Sequence, residues 1–225
     1  MQTPKAILFD LDGTLADTAP DLAAAVNVMR VRRNLPPAPY EQLRPYASAG
    51  ARGLIGAGFN VAPTDPIYEA MRVEFLDQYA SAIADQSCLF EEVPGLLSGI
   101  DQLLLPWGII TNKAMRFTDA LVPLLDLKQA RCIISGDTTP HAKPHPAPLY
   151  EAARQLGIDA AHCWYVGDDL RDIQAAKAAG MHSIAAAWGY CGATEPAHWE
   201  ADLILHSPLE LLDIVRAKHL KTSSS

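Results

Sequence analysis

A chain of 225 residues, 49% hydrophobic and 20% charged, can bury a sizeable core as one large domain with a smaller one inserted or appended. Its formal net charge of −8, without a Lys/Arg run, gives no electrostatic footprint for nucleic acid or anionic membranes, and neither is expected as a partner. No apolar run nears the roughly 18 residues of a membrane span, and the N-terminal stretch breaks at Asp10 before it reads as a signal peptide, so a cytoplasmic location is expected.

In chain order, residues 6–9 form a short apolar run that ends at Asp10 and reads as a buried strand. From about Asp17 to Ser87 the sequence reads as helices, with no convincing strand. Helical runs fall at 22–32 and 67–79, separated by a Pro-rich turn at 35–39 and a Gly-rich loop at 48–53. Apolar strand-like runs then recur at 107–110, 132–134, 164–166, 183–187 and 203–205. Several stop at polar or Gly residues: Thr111-Asn112, Ser135-Gly136-Asp137 and Gly167-Asp168-Asp169. Residues 94–104, 115–125, 146–156 and 170–179 carry apolar positions at three- and four-residue spacing, bounded by Gly, Pro or Asn.

Fully apolar strands alternating with helices predict an α/β fold, a Rossmann-like parallel sheet covered on both faces. The expected division is a core at 1–16 and 88–221, an inserted helical cap at 17–87 and a disordered tail at 222–225. Four scattered cysteines without a CxxC are expected to be reduced and mostly buried. Seven histidines without an HExxH motif predict no zinc site.

Ligands of open α/β sheets bind beyond the carboxyl ends of the strands, and four polar segments fall there. In Asp10-Leu11-Asp12-Gly13-Thr14, residues two apart on an extended backbone point the same way, so Asp10 and Asp12 are expected to face one cavity. Two converging carboxylates repel unless a cation or a shared proton intervenes, and magnesium suits all-oxygen ligands together with phosphate oxygens. In Gly167-Asp168-Asp169-Leu170-Arg171-Asp172, Asp172 follows Asp168 by one helical turn and faces the same side, while Asp169 can cap the helix, assist a metal, or both. The 48–53 loop carries Arg52, the best placed residue for gripping an anionic group on a substrate.

The segment FDLDGTLADT resembles the first motif of the haloacid dehalogenase-like superfamily of phosphatases. The resemblance implies that Asp10 is the nucleophile and Asp12 the general acid/base. It extends to Thr111-Asn112-Lys113 as the second motif, where Thr111 would bond a phosphate oxygen and Asn112 would add backbone or amide contacts. Lys143-Pro144-His145-Pro146 resembles the third motif, with Lys143 neutralising nucleophile and phosphoryl group. Gly167 to Asp172 resembles the fourth, with Asp168 and Asp172 joining Asp10 and Asp12 around Mg2+. The stretch between the first and second motifs resembles the helical C1 cap of that family. The chain as a whole looks most like the phosphoglycolate phosphatase branch, and several stretches resemble its N-acetylmuramic acid 6-phosphate phosphatases. The implied activity is Mg-dependent hydrolysis of a small phosphorylated metabolite through a phospho-aspartyl intermediate. A β-phosphoglucomutase-like phosphomutase and a catalytically silent binding protein on the same fold remain as alternatives. Oligomeric state is not readable from the sequence.

Overall fold

In the computed structural model, which describes residues 2–192 and 194–222, the first half of the chain runs β1 (Ala6–Phe9), β2 (Ala16–Asp17), α1 (Ala19–Arg32), α2 (Tyr40–Leu43), α3 (Gly50–Phe59), α4 (Tyr68–Ser81) and β3 (Cys88–Leu89). The second half runs α5 (Val93–Gln102), β4 (Trp107–Ile110), α6 (Met115–Leu124), β5 (Ile133–Ile134), α7 (Ala147–Leu156), β6 (Cys163–Gly167), α8 (Leu170–Ala179), β7 (His182–Ala186), β8 (Leu203–Leu205) and α9 (Pro208–Thr222).

Six strands form one parallel sheet in the order β5-β4-β1-β6-β7-β8. β1 is buried along its whole length because its alternate residues serve two cores. Ile7 and Phe9 join an apolar cluster with Leu96 and Ile100 of α5, Leu121 of α6 and Leu211 of α9. Ala6 and Leu8 join a second cluster with Leu149 of α7 and Ala175 and Ala176 of α8. A sheet with helices on both faces leaves no polar side for its strands, which is why they read as continuous apolar runs.

Two features have no counterpart in the sequence reading. β2 and β3 pair antiparallel, Ala16 opposite Leu89 and Asp17 opposite Cys88, so a two-stranded ribbon carries the chain out of the sheet domain and back. Strands of two residues are too short to show a period. The second is α9, which packs its Leu211 and Leu212 into the sheet-side cluster. The 48–53 stretch, expected as a loop, is instead a 3-10 turn over Arg44–Ala49 followed by the start of α3 at Gly50. Gly50 makes the corner with φ +56, a conformation that costs glycine little.

The helices between the ribbon's two arms bury a cluster of their own, with Val26, Met29, Leu43, Ile55 and Phe75 at its centre. Two residues from the other side enter that cluster, Phe117 of α6 and Tyr190 of the loop after β7. Cys132 and Cys163 are buried, Cys191 is half-buried and Cys88 exposed, all as free thiols. Among the described residues no helix is long and apolar enough to cross a membrane. Of the expected tail, Thr222 ends α9, and 223–225 lie outside the described residues.

The returning arm is pinned by one buried carboxylate. Asp21 of α1 accepts from Gln86 N (3.0 Å), Ser87 N (2.8 Å) and Ser87 Oγ (2.6 Å). Asp21→Ala strands these donors and is expected to cost about 1–3 kcal/mol, a fall of roughly 3–10 °C in Tm. Thermal unfolding checks it; an unchanged Tm would mean the ribbon is held by its backbone pairing alone.

Candidate active site

β1 lies where the sheet order reverses, with β4 and β5 on one side and β6, β7 and β8 on the other, the place where open α/β sheets form a crevice. Phe9 is in register with Ile109 of β4 and with Val166 of β6, so Asp10, Thr111 and Asp168 leave the sheet at one edge. Asp10 N donates to Val166 O at 2.8 Å, and Thr111 N to Ile134 O at 2.9 Å.

Asp10, Asp168 and Asp172 are all buried, and each offers an oxygen within 4.8 Å of the others. Such an approach needs missing side chains around it. Gly13, at φ +86, has no Cβ, and one there would fall inside the Asp168 carboxylate. A Cβ on Gly167 would overlap Asp172. Asp168 accepts from Tyr190 N (2.8 Å), Ser48 Oγ (3.2 Å) and Thr14 Oγ1 (3.3 Å). Burial, with Asp10 and Asp172 beside it, still pushes its carboxyl well above the ordinary range. Asp172 and Asp169 close a reciprocal cap at the start of α8. Asp169 accepts from Arg171 N (2.9 Å), and Asp172 accepts from Asp169 N (3.1 Å). Asp169 also pairs with the Arg171 guanidinium at 2.7 Å while it caps the helix.

One ammonium stands among these carboxylates. Lys143 Nζ lies 2.8 Å from Asp10 Oδ1, 2.7 Å from Asp172 Oδ1, 2.7 Å from the Tyr165 hydroxyl and 2.9 Å from Ile110 O. An ammonium has three protons for these four oxygens. Its hydrogen bonds go to Ile110 O and the Tyr165 hydroxyl, while both carboxylates sit in ion-pair range. Asp172 Oδ1 also accepts from the Tyr165 hydroxyl at 3.2 Å, and Asp10 Oδ1 is left a buried acceptor without a hydrogen bond. Burial pushes the Asp10 carboxyl up to about 7, with Lys143 opposing the rise. Burial works against the charge on Lys143 as well, but Asp10 and Asp172 outweigh it and its pKa is raised. Three carboxylates against one lysine, with one oxygen unserved, fit a hard divalent cation that takes oxygen ligands.

The Asp12 side chain is not part of that group. Its carboxylate meets Lys113 Nζ at 3.0 Å and accepts from the Thr18 hydroxyl. Lys113 also donates to the Tyr79 hydroxyl of α4 at 2.9 Å and lies 4.5 Å from that ring's centroid. The repulsion expected between Asp10 and Asp12 is thus relieved by a separate lysine for each. Asn112 is occupied as a clamp: its amide donates to Lys143 O (2.9 Å) and accepts from Lys143 N (3.0 Å), fixing the backbone that carries the ammonium. Thr111 is buried at the cavity wall and accepts from Lys113 N at 3.1 Å.

These groups open into a cavity of about 650 Å³, whose other wall comes from the helical insertion, with Leu22, Ser48, Arg72, Phe75 and Tyr79. Arg52 does not line it. Because α3 starts at Gly50, Gly50 and Ala51 face the cavity and Arg52 is exposed on the helix. The cavity's cations are Arg72, Lys113, Arg116, Lys143 and Arg171. Sequence reasoning missed Lys113, Arg116 and Tyr165. Lys113 was within reach, since it stands two residues beyond Thr111 at a strand's carboxyl end; Tyr165 lies inside an apolar strand and gives no polar signal.

The family model described as haloacid dehalogenase-like hydrolase matches residues 7–186. The chain is 45% identical over 215 residues to a phosphoglycolate phosphatase of Xanthomonas campestris, covering 94% of this chain and 96% of that one. It is 40% identical over 213 residues to the N-acetylmuramic acid 6-phosphate phosphatase of Pseudomonas aeruginosa, covering 94% of each. A crystal structure of a predicted phosphoglycolate phosphatase from Haemophilus somnus superposes with a TM-score of 0.84 at 26% identity, over 95% of this chain and 99% of that one.

Crowded carboxylates make a specific prediction. Asp168→Asn removes one charge, and its carbonyl oxygen can keep the bonds from Tyr190 N and Ser48. In EDTA the variant is expected to melt a few degrees above the wild type, while added magnesium raises the wild-type Tm and barely moves the variant's. Differential scanning calorimetry reads both; equal magnesium shifts would remove Asp168 from the cation group.

Proposed function

The chain belongs to the haloacid dehalogenase-like hydrolase family, and from that premise we propose that it is a magnesium-dependent phosphatase working through a phospho-aspartyl intermediate on Asp10. It is a phosphoric monoester hydrolase, as its phosphatase relatives are. The observation that carries the mechanism is the buried, unserved oxygen of Asp10 beside Lys143, Asp168 and Asp172.

Magnesium held by Asp10, Asp168 and Asp172 would offset the charge that these carboxylates and a phosphate dianion bring together. Lys143 supplies fixed positive charge next to the reacting oxygen, and the Asn112 clamp keeps it there. Asp10 attacks phosphorus; the P–O ester bond breaks, and Asp12 gives its proton to the departing oxygen. Asp12 then takes a proton from water as that water attacks phosphorus, which frees Asp10 and inorganic phosphate. Thr111 donates its hydroxyl to a phosphate oxygen. Residues 17–87 act as a cap that closes over the site and keeps bulk water out. The phosphatase names of the relatives favour transfer to water over return of the phosphate to a sugar.

Phosphoglycolate and N-acetylmuramic acid 6-phosphate each carry a carboxylate besides the phosphate, so a second anion has to be read. Arg72 is paired with Glu69, Arg171 with Asp169, Lys143 with Asp10 and Asp172, and Lys113 with Asp12. Arg116 lies over the Phe117 ring, 4.4 Å from its centroid, and among the described residues no carboxylate pairs with it. Arg116 therefore takes the role expected of Arg52. A 650 Å³ cavity with Leu22, Val73 and Phe117 on its walls has room for an acylated sugar phosphate, and its size favours that substrate over the two-carbon acid.

Two experiments test the reading. Asp10→Asn is expected to fold normally and to lose about 1,000-fold or more in kcat for phosphate release with magnesium; near-normal turnover would end its role as nucleophile. Arg116→Ala is expected to raise KM about tenfold for N-acetylmuramic acid 6-phosphate and little for p-nitrophenyl phosphate, while Arg52→Ala stays within about twofold on both. Equal effects of Arg116→Ala on the two esters would show that it does not read the carboxylate.

A further inference from the structure

Tyr190, on the loop after β7, belongs to none of the sequence motifs and is 4% exposed. Its phenol oxygen accepts from Thr18 N at 2.7 Å and Ala19 N at 2.9 Å, and its proton goes to Asp17 Oδ1 at 2.9 Å. A phenol has one proton and two lone pairs to offer, and this one spends all three on a single turn of chain. The two amides are buried donors at the start of α1, where a helix leaves its first N–H groups without partners of its own.

The rest of the residue reaches further. Its ring meets Phe90, the first residue past β3, at 6.4 Å. The Arg44 guanidinium of the insertion lies 5.0 Å from the ring centroid and donates to Gly189 O at 3.3 Å. Its own backbone N–H donates to Asp168 Oδ2 at 2.8 Å. One residue of the sheet domain thus touches the outgoing crossing, the returning crossing, the insertion between them and a carboxylate of the cation group.

We propose that Tyr190 is a positioning residue that locks the seating of the helical insertion and the placement of Asp168 into one mechanical state. A shift of residues 17–19 pulls on the phenol, and the same residue's backbone then turns its N–H away from Asp168. The insertion in its closed position and a correctly aimed Asp168 come together, and each favours the other by the same factor. The inference rests on the reading of Asp168 as a cation ligand.

The test is Tyr190→Phe in the full-length chain, which keeps the ring and the backbone N–H and removes only the hydroxyl. Amide hydrogen exchange over residues 17–19 is expected to speed up about tenfold or more. The magnesium concentration giving half of the maximal Tm shift is expected to rise several-fold, and kcat to fall. Asp17→Ala, which leaves the two incoming N–H bonds, gives smaller changes in the same direction and stands in if Tyr190→Phe does not fold. Faster exchange with an unchanged magnesium midpoint would overturn the coupling and leave the hydroxyl a local brace; unchanged exchange would remove even that. Exchange and thermal shift need no turnover, so they decide the matter even if the wild type releases no phosphate, the result that would sink the phosphatase reading instead.

Discussion

Like charge brought together out of water is the constraint on which this molecule turns. Asp10, Asp168 and Asp172 converge in the protein interior with Lys143 among them, and burial makes each additional negative charge costly. Much of the surrounding architecture serves to hold that unfavourable group in place. Gly13 and Gly167 give up side chains so that Asp168 and Asp172 fit. The first turn of α8 binds Asp172 in a cap, and Asn112 grips the backbone of Lys143 from a different strand end. The sheet supplies the order: β1 sits between β4 and β6, so three ends that are far apart in sequence share one edge.

A second, smaller charge balance stands beside the first. Asp12 and Lys113 pair off, and Lys113 extends to Tyr79 of the insertion. Asp168 receives Ser48 of the insertion, and Arg171 donates to Ser48 O at 2.8 Å. Several contacts between sheet domain and insertion are therefore made through the charged groups of the site. Position of the insertion and electrostatics of the cavity are two aspects of one arrangement.

What the sequence made legible follows from how strongly each feature is written in local pattern. The buried strands stand out because a sheet covered on both faces demands apolar residues at consecutive positions, as in Ala6–Phe9 and Trp107–Ile110. The aspartates stand out because a carboxylate at the end of such a strand breaks the pattern abruptly. Asp169 reads as a cap, a metal helper or both, and its bonds to Arg171 show the cap. Contacts that depend on tertiary packing left no such trace. The pairing of Ala16–Asp17 with Cys88–Leu89 joins residues about seventy positions apart with no periodicity of their own. Arg52 looked placed for a ligand because a Gly-rich stretch reads as a loop; folded as the first turn of α3, the same stretch turns that side chain to solvent. Arg116, which lies over the Phe117 ring, looks in sequence like any surface arginine.

Phe117 and Tyr190 are carried by the sheet domain but buried among the side chains of the insertion. The two parts are consequently not interchangeable modules joined at a neutral seam. Grafting the insertion onto a related scaffold, or grafting a relative's onto this one, has to bring matching aromatic sockets with it. A chimera that respects only the ribbon boundaries leaves two large rings facing water on one partner and two holes in the other.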